Sequence, residues 1–125
     1  HLWTLSKDEI EHAIGFLTSG AAWEDNRLRF KPGTEDGEVI LSMASVTGKV
    51  TELPLEAIEM TSADDVDPVP EDGFAIDHFC LAKVLNWWKD DAVRFGISVV
   101  GARGFVRFIS EQGNDKYLTI IAWLR

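Results

Sequence analysis

The chain has 125 residues, 46% of them apolar, enough to bury a core within a single domain. Twelve Lys and Arg against twenty-one Asp and Glu leave a net charge of −9, which excludes a protein whose whole surface grips nucleic acid. Cys80 is the single cysteine, so an intrachain disulfide and a thiolate zinc cluster are excluded, and no apolar run approaches the roughly 18 residues of a membrane span. No charged-then-apolar leader opens the chain, and a reducing cytoplasm is the expected compartment. His1 stands where a start Met would be, so a piece of a longer protein and a complete one both stand as readings.

Trp3 and Leu5 alternate with Thr4 as a short strand would. Ser6 followed by Glu9 forms a capping box, which predicts a helix over about residues 6 to 19. Ile10, Ala13, Ile14 and Leu17 then fall on one buried stripe, and Gly20 is the expected stop. Three strands follow, in "NRLRF", "GEVILSMAS" and "GKVTELPLEAIEM", each set off by Gly, Pro or acidic turn residues. Residues 62 to 72, rich in acids and containing Pro68 and Pro70, read as an exposed connector that cannot pair as a central strand. Asp64, Asp65 and Asp67 lack the Gly and Glu spacing of a calcium loop, so no metal site is predicted there.

The second half repeats the first at an offset of 71. Phe74 and Ile76 correspond to Trp3 and Leu5, and Asp77 to the cap Ser6. Leu81, Val84, Leu85 and Trp88 correspond to the first stripe, which predicts a helix over about residues 77 to 89. The offset then falls to about 66, and three strands follow again in "AVRFGISVV", "GFVRFIS" and "KYLTIIAWL". The prediction is one α+β domain over residues 1–125, with pseudo-repeats 2–61 and 73–125. Each unit is a strand, a helix and three strands, so two helices pack on eight antiparallel strands.

Chemistry is hard to assemble from these residues. His78 and Cys80 are two apart on a helix and point about 200 degrees away from each other, which rules out a hydrogen-bonded dyad. Trp88 lies on the core stripe, leaving only Trp87 to face solvent, and no basic groove accompanies it for base stacking. The "GARG" turn has no following helix and reads as a hairpin loop, with no cradle for phosphate. The expectation is a protein that is not an enzyme and has no cofactor.

The last strand alternates two sets of side chains. Leu118, Ile120, Ala122 and Leu124 are assigned to the core, and Tyr117, Thr119, Ile121 and Trp123 to the outer face. The second set is larger and more amphipathic than a solvated face requires, and Trp and Tyr are enriched at binding hot spots. Two readings stand for Trp123: a wall of a binding groove, or a side chain packed under a neighbouring loop.

The stretch "FAIDHFCLAKVLNWWKDDAVRFGIS", with "KYLTIIAWLR" at the end, resembles the carboxy-terminal domain of the bacterial DNA polymerase III beta subunit, a DNA sliding clamp. In that family a similar helix runs through an aliphatic segment into an acidic turn and a Val-Arg strand, here Val84, Leu85 and Trp88, then Asp90 and Asp91, then Val93 and Arg94. The stretch "LSKDEIEHAIGFLTSGAAWEDNRLRF" is similar to the opening helix and strand of the family. The resemblance implies a DNA-clamp-like domain of a processivity factor, part of a homo-oligomeric ring that encircles duplex DNA. It also implies a groove that receives short linear motifs of DNA polymerase and other replication and repair proteins, built from Tyr117, Leu118, Thr119, Ile121, Ala122, Trp123, Leu124 and Arg125. Lys7, His12, Lys83, Asn86 and Lys89 would be the positions facing DNA. The alternative is a stand-alone clamp-like protein-interaction domain that does not bind DNA. The chain departs from the family in its tail, which lacks proline, and in its helices, which carry few bases.

Overall fold

A computed structural model describes residues 2–19, 27–61, 67–100, 103–112 and 115–122, with residues 61, 99, 100, 103, 110–112 and 115–122 described by backbone alone. Strand β1 (Leu2–Ser6) runs directly into helix α1 (Lys7–Thr18), and strand β6 (Phe74–Asp77) runs into helix α2 (His78–Trp87). Both helices start at the predicted cap. The Glu9 amide donates to Ser6 Oγ at 3.4 Å, whereas Asp77 Oδ1 accepts from the amides of Phe79 at 2.8 Å and Cys80 at 3.4 Å. Both end slightly earlier than predicted, α1 with Ser19 donating to the Gly15 carbonyl and α2 with Trp88 donating to Leu85. Gly20, the expected stop, lies outside the described residues.

The remaining strands are β2 (Arg27–Pro32), β3 (Glu38–Ala44), β4 (Val50–Glu56), β5 (Glu59–Thr61), β7 (Ala92–Val100), β8 (Arg103–Gln112) and β9 (Asp115–Ala122). They form a five-stranded sheet in the order β5-β1-β7-β8-β9 and a four-stranded sheet in the order β4-β3-β2-β6, antiparallel throughout. The two sequence repeats exchange their first strands. β1 opens the first unit yet pairs with β7 of the second, and β6 opens the second unit yet pairs with β2 of the first. Trp3 opposes Phe95 and Leu5 opposes Val93, while Phe74 opposes Phe30 and Ile76 opposes Leu28. The leading strands are thus related by 71 residues and their partners by 65, since 95 − 30 and 93 − 28 both give 65, one less than the sequence estimate.

Among the described residues there are nine strands, one more than expected. The stretch read as a single strand from Gly48 to Met60 breaks after Glu56, where β4 runs out of partner at Glu38. The Ala57 amide then bonds to Gly37 and the Ile58 amide to the Thr4 carbonyl, carrying the chain to the open edge of β1 as β5. The connector is also less detached than expected, because the Asp67 amide donates to the Ile97 carbonyl at 2.8 Å and Val69 packs against the core. Pro68, Glu71 and Asp72 remain exposed.

The core is aromatic at its centre. Phe30 and Phe74 stack at 5.5 Å, Phe95 meets both edge-on, and Phe108 and Trp88 extend the cluster. Ile10, Ala13 and Leu17 of α1 and Leu81 and Leu85 of α2 close over it, with Ile14 and Val84 half-buried at the margin.

Candidate functional site

The helices pack on each other. The Lys7 ammonium, at the start of α1, donates to the Trp88 carbonyl just past the end of α2 at 2.8 Å, so the helices run antiparallel. Lys7 also lies 3.7 Å from Glu11, and its amide bonds to the Asp91 carbonyl. A cation is favoured there by the partial negative charge on the last carbonyls of a helix. Lys7 therefore serves as a strut between helices, whereas His12, Lys83, Asn86 and Lys89 are exposed. Around these few bases stand the exposed carboxylates Asp8, Glu9 and Glu11 of α1 and Asp91 beyond α2.

Sequence reading found Trp87 on this face but missed its neighbours. Trp87 is 83% exposed, Phe79 54% and Phe16 52%. Phe79, Lys83 and Trp87 follow each other at four-residue spacing and make one outward stripe along α2. Phe16 and Trp87 are 71 residues apart, the same position in the two repeats. The signal was present in the helical period, because Phe16 lies off the stripe of Ile10, Ala13 and Leu17.

His78 is buried at the first turn of α2, its ring 4.1 Å from that of Phe79, while Cys80 is exposed. Burial holds the imidazole below its ordinary pKa, against the opposing pull of the Asp77 carboxylate. The two side chains diverge as their spacing on the helix requires. Among the described residues no three His, Cys, Asp or Glu gather as a metal site, and no helix is long and apolar enough to cross a membrane. An open groove of about 570 Å³ lies between Arg29, Lys31, Glu71 and Asp72. Its cations are already engaged, Arg29 with the Asp72 carbonyl and Lys31 with Glu52.

Tyr117, Leu118, Thr119, Ile121 and Ala122 lie on β9, the outer strand of the five-stranded sheet, and Trp123, Leu124 and Arg125 lie outside the described residues. β9 pairs with β8 from Gln112 opposite Asp115 to Phe105 opposite Ala122. Positions 119 and 121 oppose Phe108 and Val106, which are buried, whereas positions 118, 120 and 122 oppose Ile109, Arg107 and Phe105, which are half-buried. The sheet face taken by the side chains of residues 117–122, and so the assignment of Tyr117, Thr119 and Ile121 to an outer face, lies outside the described residues.

No family model and no curated protein sequence matches the chain. Its fold is similar to a solved structure of a DNA polymerase sliding clamp from Pseudomonas aeruginosa with ligand, with a TM-score of 0.68 at 14% identity. The match covers 99% of this chain and 31% of that one, so the chain spans about a third of that clamp's length. What the two share at this identity is the fold, an α+β domain with two helices and two antiparallel sheets.

Proposed function

We propose that the chain is a domain of a DNA sliding clamp, a non-enzymatic processivity factor that acts in the cytoplasm and encircles duplex DNA as part of a ring. In this reading β9 and the residues after it form one wall of a groove for short linear motifs of DNA polymerase and of other replication and repair proteins. The observation that carries the proposal is the match along nearly the whole chain to about a third of a sliding clamp. Encirclement predicts a topological signature. The assembled protein should stay on a nicked circular duplex at high salt and be lost once that DNA is made linear; equal retention on both overturns encirclement. A peptide carrying Gln followed by Leu and Phe should shift amide resonances of residues 117–122, and unchanged resonances there overturn the groove.

A second reading rests on the helices. Phe16, Phe79 and Trp87 are exposed on a helix pair that also exposes Asp8, Glu9 and Glu11, which favours a stand-alone clamp-like domain that binds protein and not DNA. Phosphates would meet carboxylates on such a face, and the rings would stay uncovered.

A further inference from the structure

Among the residues whose side chains are described, every exposed large aromatic lies on α1 or α2. A ring of this size removes about 150–250 Å² from water when covered, and clustered aromatics are typical anchors of interfaces. Because the helices are antiparallel, Phe16 at the end of α1 lies toward Phe79 at the start of α2, and Trp87 lies toward Asp8 and Glu11. The face thus has an aromatic anchor at each end, with carboxylates beside Trp87. Phe79 and Trp87 are eight residues apart, about 12 Å along the axis. That is the span of apolar positions i, i+4 and i+8 on a partner helix.

Charge selects the occupant. Asp8, Glu9 and Glu11, with Asp91 beyond α2, outnumber the exposed Lys83 and Lys89, and the Lys7 ammonium is drawn into the bonds to Trp88 and Glu11. The whole chain carries −9. A second copy would bring the same carboxylates and another −9, and a nucleic acid would bring phosphates. We propose that the α1–α2 face docks a cationic amphipathic helix, its apolar stripe on Phe16, Phe79 and Trp87 and its lysines or arginines against the carboxylates of α1. The proposal rests on the protein-interaction reading of this chain.

The test titrates the protein with a 14-residue Leu/Lys peptide whose leucines follow i, i+3, i+4, i+7. The same peptide with Glu for Lys, an oligo(dT) strand and the Gln-Leu-Phe peptide serve as controls. The expected result is amide shifts confined to α1 and α2 with the Lys peptide, none with the Glu peptide, and affinity reduced about tenfold or more in Trp87→Ala and Phe16→Ala. Both sites are exposed, so unchanged thermal unfolding separates lost binding from lost fold. Equal binding by these variants, tighter binding of oligo(dT), or a protein already dimeric through this face overturns the proposal. Loss of Lys-peptide binding with the Gln-Leu-Phe shifts on β9 intact fails this proposal alone; loss of both sets of shifts fails the protein-interaction reading as well.

Discussion

Lys7 shows how much of the helix pair a single side chain can hold. Its ammonium tethers the start of α1 to the Trp88 carbonyl, and the Trp88 indole in turn donates to the Ala92 carbonyl at 2.8 Å, so one corner of the helix pair is closed by two bonds. Burial draws an equally sharp line between neighbouring residues on α2. Leu81→Ala should cost about 2–5 kcal/mol in a urea titration, because Leu81 fills a closed core. Trp87→Ala should stay within about 0.5 kcal/mol, because its ring is in solvent. His78 makes stability depend on pH. Its folded pKa lies below the ordinary 6.5, so its contribution is complete above that value and falls as pH drops through 6.5 toward the folded pKa, where the unfolded chain binds the extra proton. Thermal unfolding between pH 8 and pH 5 should therefore weaken more in the parent than in His78→Gln, and parallel profiles would falsify the assignment.

At the scale of the element, the two caps are not equal. Asp77 accepts two amide hydrogens and Ser6 one long one, so Asp77→Ala should cost about 0.5–2 kcal/mol and Ser6→Ala less, as read from denaturant midpoints. Gly73 leads into β6 with φ 78°, and a Cβ there would overlap the Phe30 carbonyl and Lys31. β6 can lie against β2 only because that side chain is absent. Gly73→Ala should lower the melting temperature, and a neutral result would show that the β2–β6 edge yields easily. The strand after Gly48 makes the complementary point. It stays with β3 only as long as β3 continues, then finds its next hydrogen bonds on β1.

Over the whole molecule, the exchange of β1 and β6 makes each repeat depend on the other for a sheet partner, so the two units share one core and should unfold together. The charge of the molecule also sets its behaviour toward DNA. With −9 overall and carboxylates on the helix face, the protein should not bind a short linear duplex below micromolar concentration at physiological salt, since it offers few phosphate contacts. Fluorescence anisotropy checks this, and tight, salt-sensitive binding would point to direct DNA recognition. The sequence by itself determined the local and periodic features. The caps at Ser6 and Asp77, the stripes of α1 and α2 and the exposure of Trp87 follow from spacings within about 20 residues, and the offset of 71 from the recurrence of that pattern along the chain. Only the tertiary structure decided which sheet each leading strand joins, where the third strand of the first unit breaks, and that Lys7 binds a carbonyl 81 residues away. Those outcomes depend on partners distant along the chain, whose hydrogen bonds and register no local spacing encodes.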